Sequence, residues 1–495
     1  MPKQNKISHK LSKSRYTRGL QCHKSLWLLT HSPELRTEPD ASLQSRYDEG
    51  HVVGELAQEL FPGGVMIPFD GLSFDEQIRL TAQAMQSAKV IYEAAFSHNG
   101  VFVKADIMRK GRQGWDIYEV KSSTDIKDVH LNDIAVQYHV IGNSGIKVGK
   151  AFLVHLNNKY VRSGPLDLDL LFTINDVTAD TMKRQPDVKK EIVRQQKMLK
   201  GKEPGIDIGP HCEYPYDCDF MDHCWRHIPE DSVFDLRDRG VDKYDLYRQG
   251  IVRQCDIPLE LLNAKQRQQV EATLKKKNTI NNVKVREFLD KLWYPLCFLD
   301  FETFQSAVPP YDGTSPYQQI PFQYSLHYRK RKGGKLYHCE YLAQPGVDPR
   351  KELIDRLLED VPDGACIVAY NKAFEIGQLK ELAKQFPCKR SKIQAIIVAV
   401  FDLMYPFKKR HIYSWKQSGS YSLKTVLPTF VKGMTYDGME IGDGGAAMEA
   451  YHVMGELADK PKELAKLRTA LLTYCRQDTL AMVKLLEILE RKIAG

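Results

Sequence analysis

Leu296-Cys297-Phe298-Leu299-Asp300-Phe301-Glu302-Thr303-Phe304 is an apolar run broken twice, by acids two positions apart. In a strand, side chains alternate between faces, so Asp300 and Glu302 emerge on the same side. Two carboxylates on one face of an otherwise apolar strand repel each other unless a cation sits between them. The segment therefore reads as a strand bearing a divalent-metal site. Downstream, Ala365 to Tyr370 reads as a second strand leading into a helix over Ala373 to Gln385, with Glu375 near its start. A closing helix is expected from Leu464 to about Ala494, and within it Tyr474 and Asp478 stand at i,i+4 on one face. Asp402, after the apolar run Ala395 to Phe401, is an alternative ligand to Glu375. Strands alternating with helices put this block in the α/β or α+β class.

These residues resemble the DEDD, or DnaQ-like, 3′–5′ exonuclease superfamily. The resemblance implies an RNase H-like domain in which Asp300, Glu302, Glu375 and Asp478 bind two divalent ions. Tyr474, one turn before the last acid, would orient the attacking water, and Thr473 stands where a histidine subtype would need His. The second motif of that superfamily ends in Asp, whereas this chain has Glu375. An RNase H-like domain without catalysis is the plain alternative.

The N-terminal block mixes α and β. Helices are expected over Asp48 to Leu60 and Glu76 to Ser97, and strands over Val101 to Met108, Trp115 to Lys121 and Lys150 to Leu156. Gly111-Arg112-Gln113-Gly114 reads as the hairpin turn between the first two strands. Glu119 and Lys121 share a face, and Asp106 on the neighbouring strand can join them. Two carboxylates and an ammonium around one point suit phosphodiester cleavage with Mg²⁺ or Mn²⁺, the lysine orienting water or stabilising the developing anion. A surface hairpin of alternating charge is the bland alternative. In their context these residues resemble the RecB-like branch of the PD-(D/E)XK nucleases, including the iron–sulfur exonucleases of CRISPR adaptation. The resemblance implies a restriction-endonuclease-like core. It makes His51 a metal-ligand candidate and Gln137 a DNA- or lysine-positioning candidate; Tyr138 follows Gln137 directly, and Ile141 takes the fourth place of the usual QxxxY.

Cys212, Cys218 and Cys224 recur at equal steps of six, and Cys22 lies far upstream. Thiolates gathered in fours hold zinc or an iron–sulfur cluster. The resemblance to RecB-like iron–sulfur nucleases favours a structural [4Fe–4S] cluster, and His211, His223 and His227 keep zinc as the alternative. Cys255, Cys297, Cys339, Cys366, Cys388 and Cys475 lack ligand-like spacing and read as small apolar residues.

The whole chain has 495 residues, 42% hydrophobic and 27% charged, which excludes disordered and collagen-like classes. No apolar run approaches the ~20 residues that span a bilayer. The basic N-terminus lacks the apolar stretch of a signal peptide, and ten cysteines are too few for a disulfide scaffold, so a cytoplasmic, soluble protein is expected. A net charge of +8 is compatible with an anionic partner. Arg329 to Lys332 and Lys408 to Arg410, flanked by Tyr328, His411, Tyr413 and Trp415, suit a single strand, and solvated loop tips are the alternative.

Length alone suggests about three domains. The motifs divide the chain into a nuclease-like block over 1–230, a helical connector over 231–290 and an exonuclease-like block over 291–495. Together these blocks resemble a bacterial family that fuses a RecB-like iron–sulfur nuclease to a DnaQ-like exonuclease. The function expected is metal-dependent hydrolysis of DNA, on ends or single strands and in preference to RNA, at two active sites. A nucleic-acid-binding protein with one degenerate site and an RNA-processing exonuclease are the alternatives.

Overall fold

The protein is mixed α/β with more than one sheet, and it forms two compact units. The structure, a computed structural model, describes residues 11–38 and 41–494. One unit runs up to His227 and takes in Ser306–Gln318; the other comprises Ile228–Gln305 and Gln319 onward. No helix among the described residues is long and apolar enough to cross a membrane.

The first unit is built on a seven-stranded sheet. Its strands are β1 (Leu11–Ser12), β2 (Val65–Met66), β3 (Val90–His98), β4 (Val101–Lys110), β5 (Trp115–Lys121), β6 (Val148–Leu156) and β7 (Phe172–Asp176). They lie in the order β2-β3-β4-β5-β6-β7, with β1 parallel to the start of β4. β3, β4 and β5 are antiparallel neighbours, and β5 and β6 are parallel, joined by the helix Asp128–Asn143. A parallel pair needs such a crossover, whereas the hairpin β4–β5 turns at Gly111 to Gly114 as the sequence indicates.

Both faces of this sheet are covered. Val101, Val103, Ala105 and Ile117 belong to a core with Ala135, Val136 and Val140 of the crossover helix and Val188 and Ile192 of the helix Thr178–Leu199. Tyr92, Ile107 and Tyr118 belong to the opposite core, with Val53 and Ala57 of the helix Ala41–Gln58. Ala105 and Ile107, two apart, thus fall in different cores. The period-2 alternation breaks at Asp106, and opposite it Glu93 has φ of +56°, in the left-handed region. Such irregularities re-aim side chains beside functional centres.

The helix expected over Glu76 to Ser97 is instead a helix over Phe74–Ala84 followed by β3. Ala94 and Ala95 favour a helix locally, but Val90, Ile91 and Tyr92 fit a strand buried on both faces, and tertiary packing decides.

In the second unit, β8 (Thr279–Ile280) pairs with β14 (Ile412–Tyr413), and the main sheet holds β9 (Leu296–Phe304), β10 (Ile320–Arg329), β11 (Leu336–Leu342), β12 (Cys366–Ala369) and β13 (Val400–Asp402). The order is β11-β10-β9-β12-β13, antiparallel across β11-β10-β9 and parallel across β9-β12-β13. Cys297, Leu299 and Phe301 point to one core, with Leu353, Ile354, Leu379 and Leu382. The alternate positions, including Asp300 and Glu302, face the long helix Pro461–Ala494, which packs on β9 and β10. The stretch expected as a connector has a small core of its own (Val233, Leu236, Leu246, Ile257, Leu262 and Val270) and groups with this unit.

Two candidate metal centres and a thiol cluster

In the first unit the β4–β5 ladder ends at Ile107–Tyr118, and beyond it the Asp106 carboxylate takes over from the backbone. Its Oδ2 accepts from the Val120 amide at 2.7 Å. Glu119, on β5, is 1% exposed and is the hub of the centre. Its Oε1 accepts from Lys121 Nζ at 2.7 Å and from Lys13 Nζ at 2.7 Å, and its other oxygen accepts from Gln137 Nε2. Lys121 Nζ also pairs with Asp133 at 2.6 Å. Thus Asp106, Glu119, Lys121 and Gln137 come together.

Burial opposes charge on Glu119, but the Lys121 and Lys13 ammoniums outweigh it and hold the carboxyl well below its usual range. Asp106 is pushed up to about 7, by burial first and then by repulsion from Glu119. Burial also works against the Lys121 ammonium, and Glu119 and Asp133 more than restore it, so the lysine stays charged. Gln137 Oε1 is buried without a hydrogen-bond partner. His51 is exposed on the helix Ala41–Gln58, and among the described residues no hydrogen bond or ion pair ties it to this cluster.

Lys13 and Asp133 escape sequence reasoning, and Glu93 also borders this centre. Lys13 opens the helix Lys13–Gln21, directly after β1 and the N-cap Ser12. Asp133 lies on the crossover helix, four positions before Gln137 and so on the same face, a spacing that could have found it. Glu93 faces Asp106 from β3 and adds to its repulsion, while pairing with Lys104 at 2.5 Å.

In the second unit, β9 presents Asp300 and Glu302 on one face, as period 2 requires. The Cys475 thiol lies 3.7 Å from Asp300 Oδ2, and single ligand atoms of Asp300, Glu302 and Cys475 fall within 4.8 Å of one another. Asp478, one turn on from Tyr474, accepts from Tyr436 Oη at 2.5 Å. Tyr474 bonds to it as well. Glu375, in the first turn of the helix Lys372–Gln385, is 1% exposed, and its Oε2 has no hydrogen-bond partner.

Burial first, and then repulsion from Asp478, hold Asp300 and Glu302 well above the usual carboxylate range. Burial pushes Asp478 up to about 7 against the pull of Tyr436, Lys424 and Tyr474. Glu375 is pushed up to about 8, by burial and the nearby Asp402. Three buried acids and the half-buried Asp300, with Lys424 acting on Glu302 and Asp478, are what a divalent cation with hard-oxygen preference would relieve. Asp402 itself uses Oδ1 to accept from the amides of Asn371, at 3.1 Å, and Met404, at 3.0 Å, a backbone-capping role. Tyr436, Lys424 and Cys475 are the residues missed here. Cys475, expected as packing, is buried but faces carboxylates.

The four spaced cysteines line one small cavity together with Ser25, Ile208 and Phe220. Cys22 ends the helix Lys13–Gln21 and caps the helix His23–His31, Cys212 ends a short 3-10 turn, and Cys224 ends the helix Met221–Cys224. The loop is stapled to the N-terminal helices. Arg18 grips Asp219 at 2.5 and 2.9 Å, Arg36 reaches it at 2.5 Å, and Gln21 donates to the carbonyls of His211 and Tyr216 at 2.8 and 2.7 Å. The thiols are not gathered within 4.8 Å, as the Asp300 group is. All ten cysteines are free; Cys297, Cys366 and Cys475 are buried, whereas Cys255 and Cys388 are exposed and so are not packing residues.

The basic runs are partly spent on structure. Arg329 pairs with Glu487 at 2.5 Å and Lys332 with Glu490 at 3.7 Å. Arg410 is 6% exposed, pairs with Asp238 at 3.0 Å and lies over the Tyr413 ring. Lys330, Lys408 and Lys409 each lie over a tyrosine ring.

A family model described as a domain of unknown function, DUF2779, matches residues 297–422, the stretch from β9 past β14. A solved structure described as "Crystal structure of SSO0001" is 13% identical with a TM-score of 0.23, covering 43% of this chain and 85% of that one. The chain is 28% identical over 218 residues, 40% of its length, to the uncharacterized protein MG366 homolog of Mycoplasma pneumoniae. It is 27% identical over 226 residues, 42% of its length, to the uncharacterized protein MG366 of Mycoplasma genitalium. The matched stretches span about a third of those two curated relatives, 33% and 32% of their lengths, so the chain is similar to part of each.

Proposed function

We propose that the chain is a metal-dependent nuclease with two hydrolytic centres, acting on DNA ends or single strands. The observation that carries this reading is the C-terminal centre, where Asp300, Glu302, Glu375 and Asp478 are drawn together with one buried oxygen of Glu375 unpartnered. The sheet order β11-β10-β9-β12-β13 supports an RNase H-like reading of this unit. In the first unit, three antiparallel strands, a helix and a parallel strand support a restriction-endonuclease-like core.

Asp106 and Glu119 would hold Mg²⁺ or Mn²⁺ in the first unit, and the four C-terminal acids in the second. Bound there, the ions supply Lewis-acid activation of water and neutralise charge at the scissile phosphate. Lys121, kept charged by Glu119 and Asp133, offers an ammonium to a water or to a phosphate oxygen. Tyr474, which burial and the nearby acids keep protonated, can donate to a water beside Asp478. Cys22, Cys212, Cys218 and Cys224 would hold a [4Fe–4S] cluster, with zinc as the alternative, clipping the N-terminal helices to the loop. Ten free thiols agree with a reducing, cytoplasmic setting.

Glu375, one methylene longer than the Asp of the superfamily's motif, favours a second reading in which the C-terminal centre is degenerate. End-labelled single- and double-stranded DNA and RNA, digested with Mg²⁺ or Mn²⁺, test both readings. Lys121→Ala and Asp300→Ala should each remove part of the cleavage and the double variant all of it. Full cleavage by the double variant refutes the two centres, loss with Lys121→Ala alone assigns the degenerate reading, and a preference for RNA reassigns the substrate.

A further inference from the structure

Lys13 lies 106 positions from Glu119 in sequence, yet its Nζ is 2.7 Å from Glu119 Oε1 and 4.0 Å from Asp106 Oδ1. Its place is built rather than incidental. Leu11 and Ser12 pair with Val101 and Phe102 at the start of β4, and the Ser12 hydroxyl caps the helix that Lys13 opens. Tyr16 is buried one turn on, and a Cβ at Gly19 would lie 2.4 Å from the Gln195 side-chain amide, which would have to shift. The ammonium is thereby aimed between the two carboxylates assigned to the divalent ion.

We propose that Lys13 is a resident counter-cation of the N-terminal centre, which the divalent ion must displace from Glu119 and Asp106 in order to bind. The inference rests on the metal-dependent reading of that centre. Lys121 also pairs with Glu119 Oε1, at 2.7 Å, but it is shared with Asp133 at 2.6 Å, whereas the ion pairs of Lys13 are with Glu119 and Asp106. Once displaced, Lys13 is a free cation beside the metal, placed to meet a phosphate of the nucleic acid backbone. The centre would then load its ion weakly alone and more tightly with substrate present, since the phosphate gives the lysine somewhere to go.

The test is Mn²⁺ binding to the full chain, by calorimetry, with Asp300→Asn and Asp478→Asn introduced to silence the C-terminal centre. Lys13→Met, nearly isosteric and uncharged, should bind Mn²⁺ at least ten-fold more tightly than the Lys13 chain. Lys13→Arg, which keeps the charge, should bind as the parent does. Equal or weaker binding by the Met variant overturns the proposal, as does tighter binding by the Arg variant, which would trace the effect to packing. No Mn²⁺ binding by any of the chains overturns the metal-dependent reading of the centre itself. Thermal melts in EDTA confirm that each variant is folded before it is scored.

Discussion

Asp478→Asn should stabilise the protein in the absence of divalent ions, and more so as pH rises. In the folded chain the Asp478 carboxyl is pushed up to about 7 from 3.8, chiefly by burial. The unfolded carboxyl loses its proton near 3.9, the folded one only near 7, so between these values the folded state binds more protons. Folding stability therefore falls as pH rises through that window, by about 1.36 kcal/mol per unit, and the loss is complete above about pH 7. The full span is about 4 kcal/mol; protons shared with Asp300 and Glu302 reduce what one substitution recovers, to about 2 kcal/mol. Asn has the same shape, carries no charge and still accepts from Tyr436. For a unit of this size about 2 kcal/mol is about 4–8 °C in Tm. Melts in EDTA, followed by near-ultraviolet circular dichroism, should show this gain at pH 8 and about half of it at pH 5.5. Mn²⁺ should narrow the gap by stabilising only the wild type. An Asn variant that melts at or below wild type at pH 8, or a gain that ignores pH, would refute the reasoning, because the acids would then be well accommodated without a cation.

Two further predictions concern the thiol region and the free cysteines. Arg18→Ala leaves the part-buried Asp219 with Arg36 as its remaining ion pair and removes the 2.9 Å bond from Arg18 to the Ser25 hydroxyl. That places the loss between an exposed and a buried pair, about 2 kcal/mol, read as a lower urea midpoint at an unchanged slope. Arg18 and Arg36 outweigh burial and hold Asp219 below its usual range, so this staple contributes above about pH 4 and fades as the solution is acidified further. In the native chain a thiol reagent should modify Cys388 and Cys255 first, since these two are exposed. Cys255 should be the slower, because slight burial and the neighbouring Asp256 raise its thiol. Rapid modification of Cys475 would contradict its complete burial.

What the sequence made legible is what local periodicity encodes. Asp300 and Glu302 share a face because strands repeat every two residues, and Tyr474 and Asp478 share one because helices repeat near every four. Glu119 and Lys121 follow the first rule too. Asp106 joins them only through the interruption opposite Glu93, which no alternation rule foresees. Lys13 and Tyr436 were invisible because they reach their partners across long stretches of chain, 106 positions in one case and 42 in the other. Strand β3 is hidden from local pattern because Ala94 and Ala95 favour helix, and only the sheet around them says otherwise. The basic run ending at Arg410 looked like a nucleic-acid contact, yet a buried pairing with Asp238 claims its last residue.

The segment Ser306–Gln318 leaves the second unit right after the strand that bears Asp300 and Glu302 and becomes part of the first. There Ala307 is 2% exposed in a core with Val53 and Tyr118, Arg162 Nη1 donates to the carbonyls of Pro309 and Pro310 at 3.0 and 2.9 Å, and Tyr317 Oη donates to the Ser122 carbonyl, one residue past Lys121. The polypeptide passes from one unit to the other three times rather than once. The two units are accordingly not interchangeable cassettes. A fragment ending near residue 230 would lack a piece of its own interior beside Lys121, so dissecting the activities calls for point substitutions in the whole chain, and exchange of either half by recombination would have to carry this thirteen-residue insert with the wrong partner.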